Sequence, residues 1–212
     1  MPLASLSLAL LVSRAAVCSG AMAVSGARRR LPANAPGNFF VDSSCIDCDT
    51  CRWMAPHIFG REHSKSFVHT QPQSGAERVE AAAAAVACPV GSIRTEQAIK
   101  EAVVARDSFP KPIDEEMLPN VYHLGWHSPS SFGATPYLLS CELPPSEPSG
   151  CETHSFNVMV DSPRFHSRLA KELEARGGVH LMLLTHKDDV SDHNKWKASD
   201  CWHGSLSATI SD

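Results

Sequence analysis

Apolar positions along the chain fall into short groups whose spacing switches between helical and extended periods. Leu3 to Val12 is an apolar run closed by Arg14. It is too short for a membrane span, which needs about 20 such residues. Glu77 to Val86 reads Glu-Arg-Val-Glu, five alanines and Val, a composition that predicts a helix. Asp107 to Asp114 contains prolines and reads as a linker. Extended runs follow at Val121 to Trp126, Thr135 to Leu139 and Asn157 to Asp161. Phe165, Leu169 and Leu173 share one helical face, with Gly177-Gly178 as the stop signal, and Val179 to Thr185 is an apolar strand. Ser140 to His154 is Pro/Ser-rich and predicts an inserted loop, with Cys141, Cys151 and His154 read as loop residues. Lys197 to Asp212 is polar and small, and no strand is predicted there.

Composition adds little to this picture. A 43% hydrophobic fraction permits a packed core, and a net charge of −4 gives no electrostatic footprint for nucleic acid. From Met1 to Val41 there is no Asp or Glu, while Arg14, Arg28, Arg29 and Arg30 supply positive charge and Ser recurs. That segment predicts an organelle transit peptide over residues 1–36, with a secretory signal or an unstructured tail as alternatives. The Ser-rich leader points to a plastid, with a mitochondrion as the other address.

Cysteine placement changes the picture most. Three of the eight cysteines lie between Cys45 and Cys51, where disulfides would close small, strained rings. The segment reads Cys45-Ile-Asp-Cys48-Asp-Thr-Cys51, and Cys88-Pro89-Val90 follows much later. Three thiolates on a tight loop can wrap one face of an iron–sulfur cubane, and a fourth must arrive from elsewhere. Proline after Cys88 biases that cysteine toward an extended backbone. The alternatives are a zinc site, for which a third Cys at this spacing is unusual, or free thiols. Trp53, Met54, Ile58 and Phe59 read as packing around the site, and His57, His63 and His69 as surface residues.

Residues 37–98, with these cysteines and the Cys-Pro-Val turn followed by Ile93, resemble the single-cluster bacterial-type ferredoxins. Two-cluster relatives carry another C-x-x-C-x-x-C run beside the distal Cys-Pro, whereas here Val86-Ala87 precede Cys88. The resemblance implies an α+β domain binding one [4Fe–4S] cluster through Cys45, Cys48, Cys51 and Cys88, with a helix delivering Cys88 at its end.

The strand, helix, Gly-Gly and strand order over residues 115–196 resembles the first half of the metallo-β-lactamase fold. That would be a partial α/β (αββα) domain, reached through a linker at 99–114 and followed by an irregular tail at 197–212. The family's T-H-x-H-x-D-H signature is matched by Thr185-His186, with Asp188 where a second His belongs and Asp192-His193 two residues late. The resemblance implies a second metal site (zinc, iron or manganese) at His186, Asp188, Asp192 and His193; the plainer alternative is an acidic helix start that binds nothing. Fewer than 20 residues follow His193, so this half reads as a truncated form of that fold. His123 and His127, flanking Gly125-Trp126, read as strand positions beside a packed Trp, and Cys201 and His203 as incidental.

Two functions follow as expectations. One is electron transfer or redox sensing with a redox partner protein, without nucleic acid or a membrane span. The other is a metal-dependent hydrolase or oxidoreductase. A cluster serving only to hold a small domain together is the plain third case.

Overall fold

The computed structural model describes residues 28–131, 133–143, 154–186 and 190–209. In its first part, β1 (Phe39–Val41) leads through a loop into α1 (Thr50–Met54). The hairpin β2 (Phe59–Glu62) and β3 (Lys65–Val68) follows. Next come α2 (Gly75–Ala87) and β4 (Ile93–Thr95), which returns antiparallel to β1 with Val41 opposite Ile93. The start of α2 is fixed by a capping box: the Ser74 hydroxyl accepts from the Glu77 N–H, and Glu77 reaches back to the Ser74 N–H.

The alanines of α2 explain its position. Ala82, Ala83 and Ala87 pack into one apolar core, Ala81 and Ala84 into another, so the helix is buried on two sides. Small side chains let both cores approach its backbone closely.

After α3 (Glu101–Asp107) the chain builds a six-stranded sheet. An antiparallel meander runs through β5 (Lys111–Asp114), β6 (Leu118–His123), β7 (Tyr137–Leu143) and β8 (His154–Val160). Then α4 (Ser167–Ala175) leads to β9 (Val179–Leu184), and α5 (His193–Lys197) to β10 (Trp202–Thr209). Both of these strands join in parallel, β9 beside β8 and β10 beside β9. Leu169 and Leu173 of α4 pack with Leu138, Met159 and Met182 of the sheet.

The structure differs from the sequence reading at several places, and Ser140 to Leu143 and His154, read as an inserted loop, lie on β7 and β8. Residues 28–36, read as leader, are packed: the Leu31 N–H donates to the Val41 carbonyl and the Ala35 N–H to that of Val68. Residues 1–27 lie outside the described residues. The stretch read as a linker holds α3 and β5, and Ala105 and Phe109 belong to the same core as α2 and the sheet. Pro112 sits on β5, the edge strand, where a missing N–H is tolerated. The tail read as irregular contains β10, at the opposite edge of the same sheet. Among the described residues no helix is long and apolar enough to cross a membrane.

Candidate metal centre

The four cysteines come from three places in the chain. Cys45 and Cys48 lie on the loop after β1, Cys51 is in the first turn of α1, and Cys88 is the C-cap of α2. The loop turns sharply because Asp47 and Asp49 adopt left-handed backbone, with φ of 59° and 71°. Asp47 is clamped in that position by Arg61 and Arg52, at 2.6 and 2.8 Å. The Arg61 guanidinium, and then Arg52, hold its carboxyl below the usual range against the opposing effect of burial.

All four cysteines line one narrow recess, together with Ile46, Thr50, Ser66, Val90, Ser92 and Ile93. Cys45, Cys51 and Cys88 are buried and Cys48 is half-buried. Donors point at the sulfurs. Cys45 Sγ accepts from the N–H groups of Ser66 at 3.3 Å and Asp47 at 3.5 Å. Cys88 Sγ has the Ser92 N–H and hydroxyl, both at 3.3 Å, and Cys48 Sγ has the Thr50 hydroxyl at 3.5 Å. Burial pushes the Cys51 thiol up to about 12, with the Ser66 hydroxyl opposing and the other three cysteines adding to the rise. A thiolate there needs a cationic partner at neutral pH.

The donor set suits a cluster better than one ion. A single zinc with bonds of about 2.3 Å draws its four sulfurs to within about 3.8 Å of each other. Among the described residues no three His, Cys, Asp or Glu side chains are grouped as ligands of one metal ion. Four cysteines around one recess, supplied with N–H and O–H donors, fit a [4Fe–4S] core.

Among the described residues, those read as a second metal site form no group that could hold a metal ion. Asp188 lies outside the described residues. His186 is exposed, with Nδ1 2.7 Å from Thr185 Oγ1. Asp192 accepts the Phe165 N–H and pairs with Lys195, both at 2.8 Å. Burial raises its pKa, but Lys195 and the Phe165 N–H outweigh that and hold it low. His193 Nδ1 is buried without a hydrogen-bond partner among the described residues. Asp192 thus acts as a clasp between the segment before α4 and the start of α5.

Sequence reasoning missed the groups that the second half brings to the cysteine loop. A Cβ on Gly133, where φ is 83°, would lie 3.1 Å from Cys48 Cβ. His127 Nδ1 is 3.3 Å from Thr50 Oγ1, and the Nε2 atoms of His127 and His123 are 2.8 Å apart. Trp53 stands edge-on to His123, with ring centroids 4.9 Å apart. No local signal foretells these contacts, because 77 residues separate Thr50 from His127.

Comparison with known proteins agrees with this geometry. Residues 41–95 match the family model described as the 4Fe-4S single cluster domain of Ferredoxin I. No curated protein and no solved structure matches the chain. The match supports an iron–sulfur protein with a ferredoxin-type domain binding a [4Fe–4S] cluster, and it does not extend over residues 115–196.

Proposed function

We propose that Cys45, Cys48, Cys51 and Cys88 hold the [4Fe–4S] cluster and that the protein carries single electrons to or from a redox partner protein. The observation that carries this reading is the convergence of the four cysteines on one recess with hydrogen-bond donors on their sulfurs. When bound, the cluster supplies one-electron redox chemistry. The chain's part is to orient four thiolates, exclude water from three of them, and spread their charge over N–H and hydroxyl donors. Cys48, the least buried of the four, marks the edge nearest solvent, beside exposed Ile46. That edge is where a partner would approach.

Repeated cycles of dithionite reduction and air-free reoxidation test the redox role. Visible absorbance that bleaches and returns over several cycles is expected; a cluster that resists reduction until it disintegrates would instead be structural. The leader composition supports import into a plastid, checked by the location of a fluorescent fusion to the full chain.

A second reading concerns the other half. The meander into β8, then α4 and β9, follows the order expected for the start of a metallo-β-lactamase sandwich. Hydrolysis there would need metal beyond iron, and analysis of the purified protein for zinc and manganese tests it.

A further inference from the structure

Behind Cys48 a continuous polar chain runs from the recess into the second half of the protein. Thr50 Oγ1 lies 3.5 Å from Cys48 Sγ and 3.3 Å from His127 Nδ1. His127 Nε2 lies 2.8 Å from His123 Nε2, and His123 Nδ1 is buried with no partner among the described residues. His123 and His127 are 2% and 0% exposed. Trp53 of α1, Phe109 before β5 and Tyr137 of β7 pack their rings around His123. The charged group acting on it is Lys111 of β5, and among the described residues no carboxylate is hydrogen-bonded to either ring. Burial first, and then the neighbouring imidazole, pushes His123 down to about 3; burial takes His127 to about 4 against the opposing effect of the Gly133 backbone. Both rings are neutral at physiological pH.

If Thr50 donates to the Cys48 thiolate, counting hydrogens assigns one self-consistent direction to each bond in the chain. A cluster thiolate carries no proton, so Thr50 must donate its single O–H to Cys48. Thr50 Oγ1 then offers only lone pairs to His127, which places the imidazole proton on Nδ1. A neutral imidazole has one N–H. His127 Nε2 is therefore an acceptor, and His123 must donate from its own Nε2. That leaves His123 Nδ1 as a bare lone pair, and it is the atom without a partner. A buried acceptor without a partner is more tolerable than a buried orphan N–H.

We propose that His127, backed by His123, is a positioning residue that locks the Thr50 hydroxyl as a donor to the Cys48 thiolate and so raises the cluster's reduction potential. The proposal rests on the reading that Cys48 is a cluster ligand. Hydrogen bonds to ligand sulfurs are among the levers that set such potentials, because they favour the more negative, reduced state. Without His127, the Thr50 hydroxyl is free to turn away from the sulfur. The second half of the chain thereby acts on the cluster through one bond, and the close approach of Gly133 to Cys48 keeps the halves in register.

The test uses the full chain, reconstituted anaerobically, with iron and sulfide measured before each EPR-monitored titration. Thr50→Val and His127→Leu are each expected to shift the midpoint to lower potential. The double variant should fall no further than Thr50→Val alone. Thr50→Ser should stay near wild type, and His127→Asn, which keeps an N–H donor, should recover part of the shift. A fully loaded His127→Leu protein with the wild-type midpoint overturns the proposal, as does a double variant whose shifts add. Because His127 also packs the core, the wild type provides an independent readout. Its 15N spectrum in the oxidised, loaded state should show His127 protonated at Nδ1 and His123 at Nε2, and the opposite tautomers refute the chain. Wild-type protein that takes up no sulfide overturns the ligation reading, and this proposal with it.

Discussion

Asn34 ties residues 28–36 to the cluster-binding unit, and its removal should loosen the whole site. Its side chain is 8% exposed and makes four bonds. Oδ1 accepts the N–H groups of Val41 and Val68, each at 2.9 Å. Nδ2 donates to the carbonyls of Leu31 at 2.7 Å and Val41 at 2.9 Å. Val41 and Val68 are both fully buried, so Asn34→Ala leaves two N–H groups that water cannot reach. Each unsatisfied buried donor costs about 1–3 kcal/mol, giving roughly 2–6 kcal/mol for the pair. If cluster loss requires β1 and β3 to separate, this destabilisation appears in the opening rate. At about 1.36 kcal/mol per decade, the lower bound alone is about thirtyfold. The assay is the anaerobic decay of visible absorbance in urea. Asn38→Ala is the control, since its bonds to the backbone of Gln97 are exposed and water replaces them. Decay of Asn34→Ala within about threefold of wild type, the range of an ordinary surface substitution, would refute the reasoning.

Three further outcomes are expected. Cys88→Ser should reduce iron and sulfide together, measured after reconstitution, because Cys88 is the one proposed ligand supplied from outside the Cys45–Cys51 loop. Lowering the pH should destabilise the protein as His123 and His127, depressed to about 3 and 4, compete with unfolded imidazoles that protonate near 6.5. The unfolded state binds more protons across that window, so stability present above pH 6.5 is lost as pH falls through 4 and 3, read by near-UV circular dichroism. Gly133→Ala should cost about 1–2 kcal/mol from backbone strain at φ 83° and add a Cβ 3.1 Å from Cys48 Cβ; faster cluster loss than wild type in the same decay assay checks it.

The parts of the fold that were legible carry their own local signals. The cysteine spacing, the alanine-rich run from Glu77 in α2, and the α4 stripe of Leu169 and Leu173 all speak within a dozen residues or so. The edge strands were not legible. β5 holds Pro112 and β10 is rich in small polar residues, as strands with one free edge allow. Val121 to Trp126 read as one strand, yet Gly125 and Trp126 have φ of 64° and 52°, so β6 ends at His123. That turn is what brings His127 back against His123. At the site, the four candidate cysteines were visible as a motif, whereas Thr50, Ser66 and Ser92 became sulfur partners only through tertiary packing. Asp192 looked like a metal ligand because an acidic residue beside a His after a strand has the same sequence signature whether it binds an ion or clasps a neighbouring N–H.

The most direct test of the central claim is the iron and acid-labile sulfide content of anaerobically reconstituted protein, with EPR spectra before and after dithionite. Four irons and four sulfides per chain in a [4Fe–4S] core, with an S = 1/2 signal appearing on reduction, are expected. Stoichiometric zinc without sulfide would contradict the account and make Cys45, Cys48, Cys51 and Cys88 a structural metal site.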